Sequence, residues 1–268
     1  MYFCGLISLS AHFIEFRWFV IKQIKSCLFP AFIFAALAFS HLVPVCLVFR
    51  YDLLLVACLG MQIFMVKKAL ETRDEILVVL LFHFLGLMME LFKVSKGSWS
   101  YPEYAYTKIF RVPLYAGFMY ASVASYMCQA WRHFNLCIEN PPQRWLSLFL
   151  AGGIYLNFFT HHFFYDFRYP LAGLVFILFY RTKVYFTPKQ KTYQMPVPLS
   201  FFLIGLFIWL AENMATFLGA WKYAYQHKNW SMVDTQKIGS WILMSIVSYL
   251  IVMELKFIKM NRKEKNLK

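Results

Sequence analysis

The chain has 268 residues, 60% hydrophobic and 21% aromatic, with 30 phenylalanines and a mean hydropathy of +0.53. A soluble domain of this length cannot bury that much apolar surface, so the composition excludes a water-soluble globule and predicts a multi-pass membrane protein. The net charge of +14 reads as loop lysines and arginines facing an anionic lipid leaflet, not as a nucleic-acid surface.

Residues 1–26 place His12, Glu15, Arg17, Lys22 and Lys25 among apolar residues, with Phe13, Phe16, Val20 and Ile24 at helical spacing. Charges at the membrane centre are costly, so the segment reads as an amphipathic helix lying in the interface. It lacks the basic start and cleavage site of a secretory signal.

Apolar segments follow at about 27–49, 52–66, 76–92, 113–131, 145–163, 169–186, 198–218 and 238–258. They predict an all-α membrane bundle of about eight transmembrane helices. Pro113, Pro170 and Pro198 stand at segment starts, where a missing N–H costs nothing. Cys4, Cys27, Cys46, Cys58, Cys128 and Cys137 contain no CxxC and read as small buried hydrophobes. Of the 27 lysines and arginines, 18 fall on the side of the N-terminus, counting the loops alternately. That bias predicts both termini in the cytoplasm.

A stretch near the end of the third segment returns near the end of the seventh. Residues 90–101 read E-L-F-K-V-S-K-G-S-W-S-Y, and residues 212–223 read E-N-M-A-T-F-L-G-A-W-K-Y. Both spell E-x6-G-[SA]-W-x-Y. A Lys-Ile pair follows each (Lys108-Ile109, Lys237-Ile238), and Y-A-S-V-A-S-Y (120–126) matches L-M-S-I-V-S-Y (243–249). The spacing predicts a duplicated four-helix unit: an interfacial helix over 1–26, a first repeat over 27–131, a cytoplasmic linker over 132–144, a second repeat over 145–258 and a basic cytoplasmic tail over 259–268. An even number of spans per unit makes the copies parallel, about a pseudo-twofold axis along the membrane normal.

In the predicted orientation the polar residues of the outward-running segments gather in the outer half of the membrane. Ionisable groups at that depth mark a functional cavity. Glu212 and Glu90, equivalent by the repeat, are the candidate acid–base pair, with His83 and His161 as candidate catalytic assistants. Trp99, Tyr101, Trp221, Tyr223, His41 and Asn213 are candidate substrate-binding residues. The four aromatics read equally well as a headgroup-level belt, Gly97 and Gly219 as helix ends, and Glu90 as the partner of nearby Lys93. His162 and Asp166, one turn apart if the helix continues, are candidate metal ligands together with Glu212. Ser122, Ser125, Ser245 and Ser248 read as helix-packing hydroxyls. Phosphate-loop, dinucleotide and Ser/His/Asp signatures are lacking, and the sequence names no cofactor.

G-S-W-S-Y-P-E (97–103), R-V-P-L-Y-A-G-F-M-Y-A-S-V-A-S-Y (111–126), F-L-G-A-W-K-Y (217–223) and K-I-G-S-W-I-L-M-S-I-V-S-Y (237–249) resemble the YoaT-like bacterial integral-membrane family of unknown function. The resemblance covers nearly the whole chain. It implies a multi-pass protein of the bacterial inner membrane and supplies no activity. Glu90, Gly97, Trp99, Tyr101 and Pro113 also resemble, more remotely, a pattern of the heterodimeric-type membrane carotenoid cyclases. Leu114, Tyr115 and Ala116 stand where those enzymes carry a catalytic Glu pair, so cyclase activity does not carry over. What that resemblance implies is a membrane-embedded cavity for a long apolar, isoprenoid-like molecule. Three readings stand: an enzyme acting on a lipid-like substrate in the outer half of the membrane, an ion-coupled small-molecule transporter, and a non-catalytic membrane scaffold. The partners expected are the bilayer and a lipophilic small molecule.

Overall fold

The computed structural model describes the backbone of residues 2–44 and 48–266 and the side chains of residues 12–44 and 48–259. Cys4, Cys46 and the side chains of the basic tail beyond residue 259 lie outside the described residues. Among those described, the α-helices are α1 (Tyr2–Ser26), α2 (Leu28–Phe39), α3 (Arg50–Lys67), α4 (Arg73–Ser95), α5 (Tyr115–His133), α6 (Arg144–Thr160), α7 (Arg168–Phe179), α8 (Val197–Phe217) and α9 (Lys237–Asn266). The strands are β1 (Lys108–Ile109), β2 (Val112–Pro113), β3 (Cys137–Glu139), β4 (Lys183–Phe186) and β5 (Tyr193–Pro196).

The fold is mainly helical. Three helices, Arg73–Ser95, Val197–Phe217 and Lys237–Lys259, are long and apolar enough to cross a bilayer. A fourth span results if α1 and α2, bent by 63° at their junction, are taken as one. Large apolar side chains face outward over much of the surface, among them Phe13, Phe84, Phe149, Phe176, Phe202 and Phe207. A lipid-facing surface accounts for that in a membrane protein.

The expectation of an all-α chain needs correction. β3, β4 and β5 form an antiparallel sheet in the order β3-β4-β5. The apolar stretch 169–186 is therefore not one helix. α7 stops at Phe179, is 12 residues long and reaches about 18 Å, short of a hydrocarbon core of ~30 Å. Beyond it, Lys-Val-Tyr-Phe (183–186) is extended and pairs on both edges. The stretch 145–163 is helical only to Thr160. Within 27–49, α2 closes in a short 3-10 turn, Ser40–Leu42. Of the cysteines, Cys58 and Cys128 are buried, but Cys137 on β3 is exposed.

The sheet caps one end of the bundle and is tied to α1. Glu15 is buried and accepts the backbone N–H groups of Lys189, Gln190 and Lys191 at 3.0, 3.1 and 3.2 Å. α1 thus turns Glu15 inward and Phe13, Phe16, Val20 and Ile24 outward. At the N-terminus of α4, Thr72 and Glu75 form a capping box. Glu75 also holds Arg132 of α5 at 2.8 Å and Lys256 of α9 at 3.2 Å.

α4 packs on α5 and α8 on α9, each pair crossing closely at a glycine. A Cβ on Gly86 would stand 2.5 Å from the Tyr120 ring, and one on Gly205 2.5 Å from Ile242. At their other ends α4 and α8 stop identically. Gly97 and Gly219 adopt φ of +71° and +69°. In α4 the N–H of Gly97 bonds Val94 O and that of Ser98 bonds Lys93 O, both at 3.0 Å. In α8 the N–H of Gly219 bonds Thr216 O at 3.1 Å and that of Ala220 bonds Ala215 O at 2.9 Å. These are Schellman caps, which need a left-handed residue that glycine fills without strain. Each cap reverses the chain, so the residues after the glycine run back beside the helix they left.

Candidate functional site

The reversal aims two aromatic residues of the α4 loop at Glu90 and one of the α8 loop at Glu212. In the α4 loop, Trp99 Nε1 and Tyr101 Oη donate to Glu90 Oε2 at 2.7 and 2.8 Å. Tyr120 of α5 donates to Oε1 at 2.8 Å. In the α8 loop, Tyr223 donates to Glu212 Oε1 at 2.5 Å, and Trp241 of α9 donates to Oε2 at 2.6 Å. Glu90 and Glu212 are 3% and 4% exposed, and a carboxylate at that burial persists only when its oxygens are satisfied. Glu90 accepts three hydrogen bonds and Glu212 two, so Glu212 keeps more acceptor capacity.

The two loops meet. Ser100 and Lys222 bridge antiparallel, and the Trp99 and Tyr223 rings stand edge to face at 5.9 Å. Tyr115 donates to Ala220 O at 2.6 Å. Arg50, at the start of α3, reaches across to α8: it donates to Ser40 Oγ at 2.8 Å, Glu103 Oε1 at 2.5 Å and Gly219 O at 3.1 Å, and also to Leu218 O. His41 Nε2 lies 3.0 Å from the same Leu218 oxygen. A cation there complements the negative end of the α8 dipole.

Glu90 and Glu212 line one cavity of about 610 Å³, to which α1, α2, α4, α5, α6, α7, α8 and α9 contribute side chains. Its walls are apolar for most of their length, from Phe34, Met119 and Tyr126 to Phe201 and Val252, and reach Val184 and Phe186 of the sheet. The charged side chains collect at the opposite end: Glu90, Lys93, Arg168, Glu212 and Lys237, with His161, beside Trp99, Trp221 and Tyr223. On α9 the lining runs from Lys237 to Val252, about 22 Å at 1.5 Å per residue.

The sequence-chosen residues therefore divide. Glu90, Glu212, Trp99, Trp221, Tyr223 and His161 line the cavity. Tyr101 stands behind Glu90. The four aromatics turn inward, Tyr101, Trp221 and Tyr223 being buried, and do not form a headgroup belt. His83 shares the α5-facing side of α4 with Glu90, as their spacing predicts, but packs on Phe118 with its Nδ1 unpartnered and lies off the cavity. His41 is exposed. Asn213 donates to Trp209 O and accepts the Val233 N–H, both at 2.9 Å, which fixes the loop before α9. The helix expected to join His162 and Asp166 ends at Thr160. His162 Nε2 lies 3.0 Å from Lys93 Nζ, while Asp166 accepts from Asn157 and pairs with Arg168, both at 3.1 Å. Among the described residues, no three His, Cys, Asp or Glu side chains are grouped to hold a metal. Lys93 bonds the two histidines, not Glu90. The serines Ser122, Ser245 and Ser248 bond carbonyls of their own helices, and Ser125 bonds Glu71.

Sequence reasoning overlooked Tyr120, Trp241, Lys93, Lys237 and Arg168. Tyr120 opens the stretch 120–126 that matches 243–249, Lys237 belongs to the repeated Lys-Ile pair, and Arg168 starts an R-Y-x-L that also occurs at Arg50, so these carried a signal. Trp241 lies two residues before the matched stretch, and Lys93 corresponds to Ala215 in the other copy, so these had none.

Apolar helices around an apolar cavity, with charge confined to one end, define a helical membrane protein. The chain belongs to a protein family of unknown function, DUF817, whose model matches residues 15–249. It is 55% identical over 246 residues to the uncharacterized protein YoaT of Bacillus subtilis (strain 168), covering 92% of each chain. In fold it is similar to the cross-linked MvINS trimer, with a TM-score of 0.50 and 13% identity over 68% of this chain and 93% of that one. A second structure, of the mycobacterial Insig homologue MvINS from Mycobacterium vanbaalenii, has a TM-score of 0.49 at the same identity and coverage.

Proposed function

We propose that this protein takes a lipid-like molecule into the central cavity and that Glu212, with Glu90 beside it, does acid–base work on that molecule. The observation that carries the reading is the cavity itself. It is long and mainly apolar, and the two buried carboxylates meet its charged end. Glu212 is the better proton acceptor of the two, having the fewer donors. The surrounding rings of Trp99, Trp221 and Tyr223 suit an apolar body and would favour developing positive charge.

The reading includes the architecture. Eight of the helices, α2 to α9, would lie across or within the inner membrane of a bacterium, as two parallel four-helix units with both termini in the cytoplasm. The matching caps, the matching Glu–Tyr bonds and the Ser100–Lys222 bridge support the duplication. The lysine and arginine bias supports the orientation.

The test is lipid mass spectrometry of wild type and Glu212→Gln purified from the same membranes in a mild neutral detergent. The reading expects a stoichiometric lipophilic molecule in both, of different mass in the two. The same molecule in both removes Glu212 from chemistry. An empty cavity in both removes the lipid.

A transporter is the second reading, favoured by the cavity's length of about 22 Å on α9. It predicts pH-dependent flux of a small solute in proteoliposomes, and pH-independent flux counts against it.

A further inference from the structure

We infer that the molecule held in the cavity ends in an anion, a carboxylate or a phosphate on a long apolar tail, and that Lys93 and Lys237 grip that anion. The inference rests on the cavity reading above and names the chemistry of its ligand.

Lys93 is 7% exposed, sits one turn beyond Glu90 on α4 and lines the polar end of the cavity. Its Nζ lies 3.2 Å from His161 Nε2 and 3.0 Å from His162 Nε2. His161 Nδ1 faces the Asn157 carbonyl at 2.8 Å, so that nitrogen carries the hydrogen and Nε2 accepts from the lysine. His161 thus takes one of the three ammonium hydrogens and His162 Nε2 stands within reach of a second, which leaves the third for a ligand. Lys237 lies over the Trp99 and Tyr223 rings, 5.5 and 5.0 Å from their centroids. Among the described residues, no carboxylate comes within 4.0 Å of the nitrogen of Lys93 or Lys237.

Neither ammonium is directly paired with a carboxylate. Lys93 stands within reach of the like charges of Lys237 and Arg168 and of the opposite charge of Asp166, and Lys237 within reach of Glu212 and Glu90, but none of these carboxylates closes on either ammonium. Arg168 has Asp166 as its own partner at 3.1 Å. Glu90 and Glu212 are occupied by neutral O–H and N–H donors from tyrosine and tryptophan. Lys93 is buried and Lys237 and Arg168 are half-buried; like charges in such a setting repel more than in water, and an anion between them relieves the repulsion. The apolar wall beyond them fits the tail, not a free inorganic ion. The lysines would therefore select the head and the cavity the tail.

The experiment uses the full chain in neutral detergent and three probes of one chain length: hexadecanoate, hexadecyl phosphate and hexadecanol. Binding is titrated by native mass spectrometry and by shift of the thermal midpoint. Wild type is expected to bind one or both anions at least about tenfold more tightly than the alcohol. The stronger anion distinguishes a carboxylate from a phosphate ligand. Lys93→Met with Lys237→Met is expected to erase the preference and leave alcohol binding unchanged, and Lys93→Arg with Lys237→Arg to retain it. If the double Met variant does not fold, Lys237→Gln alone reads out the same loss. Equal binding of alcohol and anions, or a preference that survives Met or Gln, overturns the inference but leaves the cavity reading standing. Failure of all three probes to bind overturns the cavity reading and the inference with it. Ala211→Trp, which fills the cavity beside Glu212, abolishes all three if binding is in the cavity, and binding unaffected by it overturns both.

Discussion

Ser100 and Lys222 exchange both of their backbone hydrogen bonds, N–H to O at 2.9 Å in each direction. They stand 122 residues apart, the spacing that also separates Glu90 from Glu212, Gly97 from Gly219 and Tyr101 from Tyr223. A residue bonded reciprocally to its own counterpart lies on the twofold axis of that correspondence. The proposed duplication therefore makes a symmetric prediction. Ser100→Pro and Lys222→Pro each remove one N–H of the pair. Thermal unfolding in detergent should show the two midpoints lowered by similar amounts. A large loss from one and none from the other would argue against a shared axis.

Tyr101→Phe and Tyr223→Phe test the loop-to-glutamate bonds. Each removes a donor from a buried carboxylate while keeping the ring. The expected cost is about 1–2 kcal/mol apiece, a midpoint drop of about 2–8 °C for a chain of this size. Glu212 has a single remaining side-chain donor, Trp241, whereas Glu90 retains Trp99 and Tyr120. Tyr223→Phe should therefore be the more damaging. The reverse order would contradict the bonding described.

Arg50 ties the start of α3 to the end of α8 and to Glu103. Arg50→Ala leaves the part-buried Gly219 carbonyl short of a donor, the Leu218 carbonyl with His41 alone, and Glu103 without its partner, and should cost about 3 kcal/mol, with faster proteolysis of the loops after α4 and α8. Arg50→Lys should recover less than half of that, because an ammonium cannot fork to four acceptors. Full recovery by lysine would mean that charge alone matters there.

Asp166 lies in the loop between α6 and α7. Partial burial works to raise its pKa, but the Asn157 amide, the Arg168 N–H and the Arg168 guanidinium outweigh burial and hold it below the ordinary value of 3.8. A lowered folded value means the contribution to stability is present above the ordinary value and is lost as pH falls through the folded one. The stability difference between wild type and Asp166→Asn should therefore be constant near neutrality and shrink below about pH 4. A difference independent of pH down to about pH 2 would show that the carboxylate charge contributes nothing.

Much of the helical layout was legible because apolar length is a strong signal. Helices stand at all the apolar segments, though several are shorter than expected. The glutamates and their aromatics were legible because one spacing occurs twice. The sheet was not, since Val184, Tyr185 and Phe186 end an apolar run and four residues cannot separate strand from helix. Asn213 is a candidate by depth alone, and His83 by depth and by sharing a helix face with Glu90. Depth does not say whether a side chain meets a cavity or a neighbouring helix, and both meet neighbours. Lys93 was read as the partner of Glu90 three residues away, but the chain reversal after Gly97 delivers Trp99 and Tyr101 to that glutamate.

The most direct test of the central claim is photolabelling in native membranes with an alkyl diazirine fatty acid, mapped by peptide mass spectrometry. If the cavity holds a lipid-like molecule, label appears on its lining, at Met119, Tyr126 or Met244, and unlabelled amphiphile competes it away. Label confined to outward-facing residues such as Phe84, Phe176 and Phe202, unaffected by competitor, would contradict the account.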